Sequence, residues 1–388
     1  MRLIYVIASL TFILACDSNQ NNNFVNYHLQ INEAEKLIAQ KSYESALTVY
    51  KEVFRRYPQS FYKDLHNACL CALKQKEFQT AREIAEELVL HGYEMQDFRD
   101  PAFSSLKEDA KECAVFESNY SRLRANYLKN QNLRLRKFYW ELYKEDQAAT
   151  STFEVSLQDS VFYENALKLV RAFDSHGFPS IGVNKDTMNF KIYVFFRHYC
   201  GLVNRVKVDP DMRLTPLYGK MNFDEIGMDS ILLRALHNGR ISPQAYADAV
   251  SYWDPSNPYG DVAIKLDFEK EKASLYLNLK PEDIEEVNKR RRDIGLYPIS
   301  PASEQVLAST WLSKYPFAEI KEAYINCDTC ETILDYMNLS ERIVNRVQEN
   351  FSNGYSDSFI LPDINNIKDF WVFGDTPYIK NADVIPKF

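Results

Sequence analysis

The chain has 388 residues, a formal net charge of −8, 46% hydrophobic residues and 14% aromatic residues. This length and hydrophobic content suffice for two or three folded domains, and the negative charge excludes a general attraction to nucleic acid or anionic lipid. The chain has only 11 glycines, which disfavours a loop-rich β-sandwich or barrel and favours a mainly helical protein.

The chain begins with the pattern of a secretion signal. Arg2 is the only charge before Cys16, and the apolar run at 3–15 is too short to span a ~30 Å hydrocarbon core as a helix. The junction Ile13-Leu14-Ala15-Cys16 resembles the lipobox of bacterial lipoproteins. That resemblance implies removal of residues 1–15 and acylation of Cys16, with chains such as palmitate. The alternative is an ordinary signal peptide that contains a cysteine.

The residues after Cys16 predict a flexible tether. The stretch DSNQNNN (17–23) has no apolar residue and no periodicity, so it cannot bury surface, and we assign residues 16–26 to the tether. A lipidated cysteine on a tether predicts a bacterial cell-envelope protein anchored by lipid in the outer membrane. Asp17 resembles an inner-membrane retention signal of some bacteria, which leaves the inner membrane as the alternative.

Two segments repeat at a spacing of 35 residues. AQKSYESALTVYKEVF (39–54) aligns with KQKEFQTAREIAEELV (74–89), which places Ala46 over Ala81. The pattern resembles the tetratricopeptide repeat, a helix–turn–helix unit of 34 residues. The resemblance implies helical repeats over 27–113 with small residues at the helix contacts. Such repeats bind protein partners on their concave face; alternatively, they only support the domain that follows.

Helical periodicity continues downstream and is interrupted once. We predict one unbroken helix over 114–145 and further helices over 159–175, 186–203, 229–239 and 242–253. At 261–279 the apolar residues alternate with polar ones, which predicts one β-hairpin. The predicted fold is therefore mainly α, with tetratricopeptide-like repeats, a helical domain with a hairpin at 114–300, and C-terminal helices with an extended tail at 301–388.

Six short motifs follow one another over residues 140–300. They are Asp146-Gln147, Gly177-Phe178-Pro179, Arg197-His198, Tyr246-Ala247, Tyr259-Gly260, and Arg291-Arg292 with Gly295-Leu296. Their order resembles a bacterial domain family of unknown function with Gly-Trp-Pro, Gln-His, Tyr-Gly-Thr-Gln and Arg-Arg…Gly-Leu motifs. Two positions depart from that family: Ser251-Tyr252 replaces Asp-Arg, and Asp261-Val262 replaces Thr-Gln. If the family's activity resides in those polar residues, this chain lacks it.

No catalytic, cofactor or metal motif is present in the sequence. H-E-x-x-H, G-x-S-x-G, a P-loop and a glycine-rich dinucleotide turn are all missing, so we assign no catalytic residue, no cofactor and no metal. Cys327 and Cys330 form a lone C-x-x-C without the second pair that zinc needs. These two cysteines are interpreted as plain thiols or a structural disulfide.

Four polar residues of the motif block form a candidate pocket: Asp146, His198, Tyr259 and Arg291. They lie far apart in the chain, so only tertiary folding can assemble them. Asp146 would orient His198 or neutralise Arg291, and the guanidinium would grip a carboxylate or phosphate. In the competing interpretation, Asp146 and Arg291 are solvated helix-end charges and His198 packs in the core.

These observations favour a non-enzymatic envelope lipoprotein whose repeats bind a protein partner, without nucleic acid. Two alternatives remain: an outer-membrane glycan-binding lipoprotein of a nutrient-uptake system, and a hydrolase centred on His198. Stacked aromatic rings on an exposed face would favour the glycan binder. A buried carboxylate beside His198 in a cleft would favour the hydrolase.

Overall fold

The structure is a computed structural model, which describes residues 24–152, 154–181, 183–185, 187–253, 258–260, 262–267, 272–277, 281–298, 323–326 and 371–372. The predictions about the signal peptide, about Cys16 and about the Cys327–Cys330 pair lie outside these residues. The described part is mainly helical, as predicted. None of the helices in those ranges is long and apolar enough to cross a membrane.

Five helices, each packed against the next, form the first half: α1 (Phe24–Ala39), α2 (Tyr43–Arg56), α3 (Tyr62–Lys74), α4 (Phe78–Leu90) and α5 (Ala110–Lys129). The helix α1 begins inside the predicted tether (16–26), because Phe24 is itself buried in the core. The predicted domain boundary at 113/114 falls inside α5. Phe116 and Leu123 of α5 are buried in the same core as α1–α4, so the whole helix belongs to the first half.

The helix pairs α1–α2 and α3–α4 share one backbone geometry at the 35-residue spacing. Lys41 and Lys76, in the two connecting turns, both have positive φ angles, 59° and 57°. The amide after each lysine donates to the carbonyl five residues earlier, at 2.8 and 2.9 Å. This hydrogen bond is typical of a helix C-terminus that ends with a residue in the left-handed conformation. Ala46 and Ala81, five residues after the lysines, are both fully buried.

The central helix α3 is buried on nearly all sides. The helices α2 and α4 and the 3-10 segment Pro101–Lys107 pack against it. Its first turn also meets a later part of the chain, since the Tyr62 amide donates to the Val183 carbonyl at 3.1 Å. Eleven of its thirteen residues are buried as a result. Little of the surface of α3 is therefore left for contact with another molecule.

The second half is built from α6 (Leu133–Thr150), α7 (Val155–His176), α8 (Thr187–Val208), α9 (Phe223–Ile226), α10 (Met228–His237), α11 (Pro243–Trp253) and α12 (Ile284–Asp293). The prediction of one unbroken helix over 114–145 is wrong, because the chain turns between α5 and α6. Asn132 caps α6 there, and its side-chain oxygen accepts from the Leu135 amide at 3.0 Å. The predicted end of the next helix is confirmed at Gly177, whose φ is 78°.

Short segments of the second half dock on α1 and on the connection between α2 and α3. The Asn32 amide donates to the Gly295 carbonyl at 3.0 Å, and the Tyr297 hydroxyl donates to Glu35. The Gln59 side chain donates to the Gly239 carbonyl in the same way. These contacts join residues more than 170 positions apart, so they fix the repeat region to the helical domain.

Four strands form a sheet in the order β3-β1-β2-β4: β1 (Val262–Asp267), β2 (Lys272–Leu277), β3 (Ala323–Asn326) and β4 (Trp371–Val372). β1 pairs antiparallel with β2, from Val262 opposite Leu277 to Asp267 opposite Lys272. The connection at 268–271 lies outside the described residues, so the turn of the predicted hairpin stays a prediction. The outer strands β3 and β4 pair parallel with β1 and β2. The rest of the predicted C-terminal region (301–388) is outside the description.

Candidate functional site

Asp146 and His198 are in contact. Asp146 lies on α6 and His198 on α8, and the imidazole Nδ1 is 3.0 and 2.9 Å from the two carboxylate oxygens. Asp146 is completely buried, whereas the His198 side chain retains 22% exposure. A second donor, the Gln147 amide, reaches Asp146 Oδ2 at 3.0 Å. The prediction that Asp146 orients His198 agrees with this geometry.

The contact fixes which imidazole nitrogen carries the proton. A carboxylate only accepts hydrogen bonds, so Nδ1 must donate and the lone pair of a neutral ring lies on Nε2. The Phe162 ring lies over the imidazole, with a centroid distance of 4.5 Å and an interplanar angle of 30°. The aromatic contact and the carboxylate together hold the ring in one orientation. Such an imidazole can take up or release a proton at Nε2.

Arg291 and Tyr259 form a second pair, with a different role from the predicted one. The Arg291 guanidinium donates to the Tyr297 carbonyl through Nε at 2.6 Å and to the Tyr259 carbonyl through Nη1 at 2.7 Å. Arg291 is only 2% exposed. It is therefore not a solvated helix-end charge, and two of its N–H donors bond main-chain carbonyls. Its main-chain bonds tie the residues before β1 to the segment after α12.

The sequence predictions did not include an ion pair between a buried carboxylate on α7 and a half-exposed arginine on α8. Asp159 is buried, accepts from Arg205, and also accepts from the Tyr218 hydroxyl at 2.8 Å. Burial raises the pKa of Tyr218 to about 12. The available signal was the position of Asp159, three residues before Phe162 on the inward face of α7. An acid at a core position needs a buried donor.

Two roughly parallel rings lie on the exposed side of α6, as the glycan alternative requires. Trp140 is 41% exposed, and its centroid is 5.9 Å from that of Tyr143 at an interplanar angle of 25°. The Lys191 ammonium lies over both rings, at 4.9 Å and 5.5 Å from their centroids. The ring faces beneath Lys191 are therefore taken by a cation–π contact and are closed to a sugar.

A cavity of about 640 Å³ lies between the first helix pair and the segment after α12. Its polar walls come from one exposed side of α1, the C-terminal end of α2 and the last residues of α12. Among the residues that line it are Asn26, Gln30, Asn32, Lys36, Arg56 and Arg292. None of the four predicted pocket residues lines this cavity. Sequence reasoning missed it because each contributing residue resembles an ordinary solvated position on its own helix.

In the part of the chain that the structure describes, no group of three or more His, Cys, Asp or Glu side chains is placed to hold a metal ion. Cys69 and Cys71 are buried free thiols. Burial raises the pKa of both thiols, which makes them poor nucleophiles.

Comparison of the chain with protein-family models, with curated proteins and with solved structures finds no match. Function is therefore inferred from the residues and from their geometry.

Proposed function

We propose that this protein is a lipid-anchored scaffold of the bacterial cell envelope that binds a protein partner through tetratricopeptide-like repeats and has no catalytic activity. The supporting observation is the backbone geometry that recurs at 35 residues, with Lys41 and Lys76 in matching turns and Ala46 and Ala81 in matching buried positions. Stacked helix pairs of this kind present extended surfaces to protein segments. The second half bonds to this part of the chain at Asn32, Glu35 and Gln59.

A site-specific crosslinking experiment tests the scaffold. A photoreactive amino acid replaces Ser45 or Gln79, exposed on α2 and α4 and outside the cavity, or Leu214, 83% exposed in the second half as the control. We expect one or a few envelope proteins to crosslink from position 45 or 79 and not from position 214. Equal capture from all three positions, or none from positions 45 and 79 in the folded protein, would contradict the scaffold.

The lipid anchor gives a separate prediction. We expect Cys16→Ala to release the protein from membranes or to leave an uncleaved precursor, because two or three acyl chains at ~0.8 kcal/mol per CH₂ provide the anchoring energy. Membrane fractionation and the mass of the mature chain measure this. A Cys16→Ala protein that is still processed and still sediments with membranes would refute lipidation at this residue. The fraction that retains the wild-type protein identifies the outer or inner membrane.

The contact between Asp146 and His198 favours a hydrolase as the second candidate. In this function Nε2 of His198 accepts a proton from a water molecule while that water attacks an ester or amide carbonyl. The test is turnover of p-nitrophenyl acetate and casein by the full chain. We expect His198→Gln and Asp146→Asn each to lower the rate about 100-fold or more if the candidate holds. Rates that do not differ from the wild type, or no turnover by the wild type, would eliminate it.

A further inference from the structure

The cavity beside α1 concentrates positive charge in a protein of negative net charge. The chain carries a formal charge of −8, yet three cations line the cavity, Lys36, Arg56 and Arg292, against one carboxylate, Glu33. A cavity wall with an excess of one sign focuses the local field and raises the concentration of oppositely charged groups. The electrostatics of this site therefore favour an anionic occupant.

The ion pairs that these cations already form are weak ones. Lys36 pairs with Glu33 at 2.7 Å within α1, Arg56 with Glu52 at 3.2 Å within α2, and Arg292 with Glu285 at 3.1 Å. The side chains of Glu33 and Glu285 are 63% and 85% exposed and that of Glu52 is 41% exposed, so solvent screens the pairs and each contributes little. A guanidinium has five donors, so both arginines retain capacity for a further acceptor.

The remaining walls suit a peptide chain. Asn26, Gln30 and Asn32 supply side-chain amides, which match the donors and acceptors of a peptide backbone. Asn32 is 7% exposed, and its bond to the Gly295 carbonyl fixes the amide in place. Leu29 and Tyr57 add apolar surface. The volume of about 640 Å³ lies within the ~300–1,000 Å³ typical of ligand sites, enough for a few side chains.

We infer that this cavity binds an extended segment of the partner protein that carries Asp or Glu side chains. The inference rests on the proposed scaffold function and names where and how the partner is recognised. The arginines bind carboxylates by paired N–H donors, and the amides of α1 bind the backbone between them. Because α3 is buried by the chain itself, the edge of α1 is where the repeats accept a partner.

Selection from a random dodecapeptide display library tests the inference on the full chain in detergent. Arg56→Glu is the test variant and Arg55→Glu its matched control. The two arginines are neighbours that both pair with Glu52, but only Arg56 lines the cavity. We expect the selected peptides to be rich in Asp and Glu. We expect their affinity to fall at least about tenfold in Arg56→Glu and to stay within about twofold in Arg55→Glu.

Three outcomes would overturn the inference: peptides without acidic enrichment, equal binding to both variants, or inorganic pyrophosphate that binds through Arg56 when no peptide does. The last result would assign the cavity to small phosphate compounds. The scaffold proposal is judged separately, by crosslinking from positions 45 and 79, which lie outside the cavity. If the same partner crosslinks to the Arg56→Glu protein, the scaffold stands and only the cavity inference fails.

Discussion

Asp64→Asn is expected to stabilise the protein at about pH 8 and to have little effect at about pH 4. Asp64 is 2% exposed on α3. Burial raises its pKa to about 7, Glu35 adds to the increase, and Lys63 and the Tyr27 hydroxyl oppose it. Tyr27 donates to Asp64 at 2.7 Å, and the Lys63 ammonium, 4.0 Å from Asp64, also pairs with Glu35. One cation thus serves two buried carboxylates.

The sign of the effect follows from the raised pKa. The unfolded chain loses the Asp64 proton near pH 3.8, whereas the folded protein keeps it up to about pH 7. The stabilising contribution of the protonated acid is therefore complete below pH 3.8 and is lost as pH rises to about 7. At ~1.4 kcal/mol per pH unit, the loss is on the order of 4 kcal/mol. An asparagine does not titrate and avoids this loss.

The contribution of His28 to stability changes with pH in the opposite direction. Burial, with the nearby Lys63 charge, lowers the pKa of this histidine from 6.5 to about 3. Its contribution is complete above pH 6.5 and is lost as pH falls towards 3. Between about pH 4 and pH 6.5 the contributions of Asp64 and His28 to the free energy of unfolding change with pH by equal and opposite amounts, so they cancel. Asp64→Asn should therefore show stability that rises with pH in this range, and His28→Gln stability that falls.

Urea unfolding at several pH values measures both slopes. Asp174→Asn, at an exposed position on α7, is the control and should change stability little at any pH. The informative quantity is the difference between Asp64→Asn and the wild type, which removes the contribution of all other groups. We expect this difference to grow by about 2–4 kcal/mol from pH 4 to pH 8. A difference that stays constant with pH would show that Asp64 is ionised in the folded protein at all these pH values.

The helices were predictable from the sequence where their ends carry strong local signals. Gly177 ends α7 as expected, because a positive φ favours glycine. The turns at Lys41 and Lys76 have the same left-handed geometry without a glycine, so only the 35-residue alignment indicated them. The break between α5 and α6 was missed because the turn at Asn130, Gln131 and Asn132 contains neither glycine nor proline, the residues that usually mark a helix end.

The candidate site was predictable only in part, for a physical reason. Motif order indicated that Asp146 and His198 belong together, and they do lie in contact. It did not indicate that Arg291 would bond main-chain carbonyls, because sequence does not show which carbonyls a fold leaves buried and unpaired. The cavity beside α1 depends on how the segment after α12 crosses the repeats. Such long-range docking has no periodic signal in the sequence.

Gly295→Ala is expected to destabilise the protein by about 2–5 kcal/mol, by disturbing the contact between the two halves. Gly295 has a φ of 83°, which an L side chain rarely adopts. A Cβ at this position would lie 2.9 Å from the His28 Cβ and 3.1 Å from the Val25 carbonyl oxygen, both on α1. Neither atom can rotate away, since one is backbone and the other is fixed to it. The Gly295 carbonyl is also the acceptor for Asn32.

Gly227→Ala separates backbone strain from the clash between the halves. Gly227 also has a positive φ, 55°, but its nearest neighbour would be the Asp224 carbonyl at an ordinary 3.9 Å. We therefore expect a loss of only about 1–2 kcal/mol for Gly227→Ala in urea unfolding. Hydrogen exchange adds a local measure: amides at 294–298 and on α1 should exchange faster in Gly295→Ala alone. Equal losses of stability in both alanine variants, with α1 equally protected, would show that the segment after α12 does not pack against α1. That segment would then not form a wall of the cavity.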